Sequence, residues 1–161
     1  MKKVYFPLLL VFSLLLTACE LSGEDGLKQI LSSEQAPAGV VFDVATADKE
    51  GLNWVVPMVK SYSRQLRNKF PGIKLALVSH GAEQFQLTQS NIQRYINVHR
   101  KVKGLIDKEE IQFHICAYNA SQSGVKRSAF VTYVDLVDRG PEQISKYQQQ
   151  GYVVLSLIKQ E

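Results

Sequence analysis

From residue 39 onward the apolar positions alternate between short unbroken runs and stretches spaced by three or four. The run GVVFDVA at 39–45 is β-branched and continuous, as in a strand buried on both faces. In GLNWVVPMVKSYSRQLRNKF (51–70) the apolar residues fall at 52, 55, 56, 59, 62, 66 and 70, a helical spacing. Pro57 lies inside that pattern, so the regular helix either starts there or kinks, and Pro71-Gly72 ends it. The next strand is expected at 73–81 (IKLALVSHG). A helix at 88–106 should follow, with Thr88 or Ser90 as N-cap and Ile92, Tyr95, Ile96, Val102, Leu105 and Ile106 toward the core. A third strand at 110–117 (EIQFHICA) leads into a short helix from about Asn119, capped at Gly124, and a fourth covers 130–137 (FVTYVDLV). The segment GPEQISKYQQQG (140–151) opens on Pro and closes on Gly, as helices do, and YVVLSLI (152–158) is the last strand.

Strand and helix therefore alternate through one domain, residues 39–161, with no internal repeat. This order predicts right-handed crossovers and an α/β fold, a five-stranded, mainly parallel sheet with helices on both faces. Ligands in such sheets meet the carboxyl ends of the strands.

The first residues change the picture. MKKVYFPLLLVFSLLLTACE has a basic start, an apolar run from Val4 to Leu16 and small residues before Cys19, the layout of a signal peptide over 1–18. Its ending LTAC resembles a bacterial lipobox, which implies cleavage before Cys19 and a diacylglycerol thioether on that residue. The alternative, an ordinary signal peptide with an incidental cysteine, needs a chance Cys at this one position. Acyl chains contribute about 0.8 kcal/mol per buried methylene, enough for a stable anchor when there are several. The expected location is the bacterial cell envelope, facing the periplasm; Glu20 rather than Asp after the cysteine favours the outer over the inner membrane. Residues 19–38, rich in Ser, Gly and acidic side chains, read as a flexible tether with a helical turn at 27–31.

Removing Lys2 and Lys3 with the signal peptide leaves seventeen basic against fifteen acidic side chains, so charge gives no argument for nucleic acid. Arg94, Arg100, Lys101 and Lys103 lack interleaved aromatics and read as a solvated face. A lipidated Cys19 leaves Cys116 as the only free thiol, without an intramolecular disulfide partner.

The strand ends supply the candidate chemistry: Asp43, His80-Gly81 and Cys116, with Tyr118 and Asn119 just beyond. Cys116 ends a strand where a short helix begins, a place that can stabilise a thiolate. Free Cys is also among the most buried residue types, and packing is the competing reading. His114 and Gln112 share a strand face with Cys116, which puts that face on a polar cleft, a sheet edge or an interface. His80, His114 and Cys116 are metal-ligand types, yet no CxxC or HxxxH spacing is present, and no metal site is expected. No GxGxxG, P-loop or GxSxG motif calls for a cofactor or a serine nucleophile.

Three segments, KLALVSHGAE, IQFHICAYNASQSGV and VDRGPEQISKYQQQGYVVLSL, resemble the DsrE/DsrF-like family in order and spacing. The resemblance implies a flavodoxin-like α/β fold and assembly as homo- or hetero-oligomers, here expected as a homo-oligomer. It also implies a third-strand cysteine, here Cys116, that carries a persulfide, with His80 and Gly81 in its pocket. The chain departs from the family in having Glu110-Ile111 where Gly-Val is usual. Export also removes it from the cytoplasmic partners of the sulfur-relay members. Two functional expectations follow. One is a non-enzymatic small-ligand-binding or assembly module on the membrane, its ligand held among Asp43, His80, Gly81, His114, Tyr118 and Asn119. The other is a single-cysteine sulfur carrier that uses Cys116 on a small sulfur-containing ligand.

Overall fold

The computed structural model describes residues 21–159; the signal peptide and Cys19 lie outside the described residues. In chain order the elements are β1 (Leu21–Ser22), α1 (Gly23–Ser32), β2 (Gly39–Val44), α2 (Leu52–Lys69), β3 (Lys74–Ser79) and α3 (Ile96–Asp107). They continue with β4 (Ile111–Cys116), α4 (Ala117–Gln122), β5 (Asp135–Val137), α5 (Gly140–Gln149) and β6 (Tyr152–Ser156). The strands form one parallel sheet in the order β1-β6-β2-β3-β4-β5.

The parallel α/β architecture is the one the periodicity predicts. From β2 the chain steps outward three times to β5, and α5 then carries it back to the far flank of β2. Right-handed crossovers in opposite directions put helices on opposite faces. Accordingly α1, α2 and α3 share the main core with Val40, Phe42, Leu75, Leu77, Phe113 and Ile115. A smaller core on the other face joins Val41, Ala76 and Val78 to Ile144 and Tyr147 of α5. Counted from β2, the strand order is 5-1-2-3-4, whereas flavodoxin has 2-1-3-4-5.

Four expectations need correction. The sheet has six strands, not five, because residues 21–22 pair in register with Leu155 and Ser156. In place of a flexible tether over 19–38, residues 23–32 form α1, with Leu27 and Ile30 buried. Gly26 permits this packing: a Cβ there would lie 2.7 Å from Leu155 Cδ1. The helix expected at 88–106 begins only at Ile96. Before it the chain forms 3-10 turns at Ala82–Leu87 and Gln89–Asn91, because Thr88 Oγ1 and Asn91 Nδ2 both donate to the Phe85 carbonyl (3.1 and 2.9 Å). Ile92 and Ile96 are consequently exposed rather than in the core. The fourth strand shrinks from 130–137 to Asp135–Val137, since Phe130, Val131 and Val134 bury their side chains from a loop. At Pro57, where two outcomes were open, α2 runs on through the proline from Leu52.

Candidate functional site

The carboxyl ends of β2, β3 and β4 are tied together by side chains from the sequence-derived set. Asp43, next to last in β2, lies 2.7 Å from His80 Nε2 across the β2–β3 pair, and both side chains are about four-fifths buried. His80 also packs against the start of α5, where a Cβ on Gly140 would lie 2.7 Å from the His80 Cβ. Asn119, in the first turn of α4, donates from Nδ2 to the Gly81 carbonyl at 3.0 Å and from its backbone N–H to the Cys116 sulfur at 3.5 Å. Cys116 itself is 3 % exposed. Asp43 and Asn119 are thus the hydrogen-bond partners of His80 and Cys116.

Beneath them Glu83 is wholly buried. Its Oε1 accepts from Ser79 Oγ (2.8 Å) and the Gly81 N–H (2.9 Å), and its Oε2 from the Thr46 N–H (3.0 Å). One carboxylate therefore fixes the loops after β2 and β3. Gly81 is a glycine for packing: a Cβ would lie 2.3 Å from the Thr46 nitrogen and from Glu83 Oε2.

His114 stands apart, two residues down β4. Tyr147 of α5 donates its hydroxyl to Gln112 Oε1 at 2.6 Å, so the 2.7 Å contact of His114 Nε2 to the same hydroxyl runs from the ring N–H to oxygen. The Gln-His face of the strand is thereby explained as the platform for one buried tyrosine. Burial pushes the His114 pKa down, opposed by the Asp135 carboxylate 3.8 Å from Nδ1. Tyr118 is about half exposed, with the Arg139 guanidinium over its ring at 4.2 Å.

The loops that follow the same three strands also open a cleft of about 540 Å³, lined by Lys49, Glu50, Phe85, Gln86, Arg94 and Tyr95 among others. Sequence reasoning placed none of these residues in a site: Arg94 reads as a solvated charge and Tyr95 as core. The available signal is negative. AEQFQL (82–87), between the strand at 73–81 and the helix expected from 88, has no period of its own, which is how a binding loop on a rigid scaffold reads. Gln86 is 1 % exposed; its Oε1 accepts from the Leu52 N–H that opens α2 (2.8 Å), and its carbonyl accepts from His99 Nε2 (2.9 Å). His99 Nδ1 meets the Tyr133 hydroxyl at 2.5 Å. Burial holds the Tyr133 pKa up at about 12 and pushes that of His99 down, so the phenol donates to a neutral imidazole. Among the described residues no three His, Cys, Asp or Glu side chains gather to hold a metal ion, and no helix is long and apolar enough to cross a membrane.

No protein-family model matches the sequence, nor does any curated protein. Among solved structures the chain is similar to MTH1491 of Methanobacterium thermoautotrophicum, described as a protein of unknown function. That match has 19 % identity and a TM-score of 0.56, over 73 % of this chain and 96 % of that one. It is also similar to BT1422 of Bacteroides thetaiotaomicron, a conserved protein of unknown function. There the identity is 14 % and the TM-score 0.51, over 74 % of this chain and 94 % of that one. Likeness at these identities shows the α/β fold alone.

Proposed function

We propose that the chain is a non-enzymatic small-ligand-binding domain of the DsrE/DsrF-like type, held in the bacterial envelope by a lipid on Cys19 and assembling with copies of itself. One contrast supports this over sulfur transfer. The sulfur expected to react is buried and capped by Asn119, while the loops at the same strand ends leave an open, partly polar cleft. A nucleophilic thiol must meet its substrate; a buried one behaves as a small hydrophobe. Cys116 should therefore alkylate far more slowly than a model thiol in the folded protein and gain no persulfide from polysulfide, both read by mass spectrometry. Modification at the model-thiol rate would favour the sulfur carrier instead. For the anchor, Cys19→Ala should move the protein from the membrane fraction to the soluble one.

A further inference from the structure

We propose that the outer face of α2 and α3 is a docking surface for anionic phospholipid. The balance of charge over the whole chain conceals it. Between Leu52 and Ile106 there are nine Lys and Arg residues and a single carboxylate, Glu83, which is wholly buried. The other residues from 19 on hold eight basic and fourteen acidic side chains. A nearly neutral domain is therefore made of two oppositely charged parts, and such a separation sets up a surface potential that net charge does not report.

The fold turns this stretch of sequence into a surface. α2 and α3 pack side by side on one face of the sheet. α2 has no acidic residue, and α3 has one, Asp107, at its last position. Lys60, Arg64 and Arg67 are spaced by four and three, which puts them on one stripe of α2. Arg67 reaches Glu109, just past the end of α3, at 3.1 Å, so that stripe runs along the α3 side. α3 in turn exposes Arg100 and Lys101, while Lys103 lies over the Tyr133 ring, 5.5 Å from its centre. Among the described residues Lys60, Arg64, Arg100 and Lys101 form no ion pair. Like charges four apart on a helix repel. Burial of the core does not require that cost, and an anionic partner relieves it.

Two observations choose a lipid surface over other polyanions. At the entry to α3, Ile92 and Ile96 are 37 % and 46 % exposed, two of the four large apolar side chains left exposed among the described residues. Arg94 stands between them in sequence and Arg100 follows one turn after Ile96. Apolar side chains among cations suit a bilayer interface, where headgroups meet the charges and the acyl boundary takes the rest. A phosphate backbone offers those isoleucines nothing to enter. The second observation is α1, the first helix after Cys19, which packs on the same face of the sheet as α2 and α3. A lipid on Cys19 and the basic helices can therefore meet one surface, and in this the choice of partner rests on the anchor proposed above.

The test takes the chain from Glu20 on, without lipid, which holds all six strands and both cores. It is sedimented with vesicles of phosphatidylcholine, alone or with about three parts in ten phosphatidylglycerol. The protein should bind the anionic vesicles and not the neutral ones. Salt should release it, since at about 1 M the screening length falls to about 3 Å. Arg64→Gln and Arg100→Gln should each weaken binding about fivefold. Lys146→Gln removes the same charge from α5, across the sheet, and should leave binding unchanged. Ile96→Ser should weaken it as the two arginine variants do. Should a variant not fold, the two vesicle compositions and the salt series still decide. No preference for anionic vesicles, equal loss in all three charge variants, an indifferent Ile96→Ser, or tighter binding of duplex DNA overturns the lipid face. The anchor is judged separately, because fractionation of Cys19→Ala at about 1 M salt reports on the anchor alone.

Discussion

Glu83 shows how a single side chain sets the strand ends. Its carboxylate accepts three hydrogen bonds, from Ser79 at the end of β3 and from Thr46 and Gly81 in the loops after β2 and β3, and the side chain is wholly buried. Glutamine has the same shape but only one acceptor oxygen, so its NH₂ must face at least one donor. Glu83→Gln should therefore destabilise the fold by about 2–3 kcal/mol, the cost of leaving buried donors unmade. A loss below about 0.5 kcal/mol in urea unfolding would show that the carboxylate is not the clamp. The place of Glu83 beneath the site was not legible in the sequence, because the reach of a carboxylate from a 3-10 turn back to Thr46 is a tertiary fact. Asp43 and His80 were legible as strand-end residues, and their pairing follows once β2 and β3 are neighbours. Gln86 was not legible, since nothing in a run of glutamines says which amide will be buried with one hand free.

At the scale of elements, α1 is the clearest departure. Its ten residues include Ser, Gly and three charged side chains, which in composition resemble a linker. The spacing of Leu27 and Ile30 gives one narrow apolar stripe, and Gly26 beside it lets the helix close on Leu155. Both apolar residues are nearly inaccessible, so Leu27→Ala should cost about 3 kcal/mol. A true tether would tolerate the same change without effect, and a comparison of urea midpoints decides between the two. The long regular elements were legible because their periods are set by burial against a neighbour on a known face. The segments at 88–95 and 130–134 were not, because side chains there bond to local carbonyls or reach the core from irregular backbone. Tertiary packing overrides propensity at those places.

For the whole molecule, two buried histidines link folding to pH. Burial lowers the pKa of His99 and of His114 below the ordinary value of 6.5. The unfolded chain therefore takes up protons near pH 6.5 that the native chain refuses. The native state holds its full advantage above that pH and loses it as pH falls toward the depressed values. Melting temperature should drop between pH 7.5 and pH 5, and a double variant, His99→Asn with His114→Gln, should show a shallower drop. An equal slope in the double variant would assign the dependence to other groups. The pairing of Leu21 with Leu155 bears on the molecule's reach. If Cys19 carries the lipid, as proposed, Cys19 and Glu20 alone separate the bilayer from the first strand, a leash of at most about 7 Å. Such a domain cannot roam. It would present its cleft to a shell no deeper than its own body, at a high and nearly fixed effective concentration toward anything embedded in the same leaflet. Ligands and partners would have to come to the membrane surface to be met.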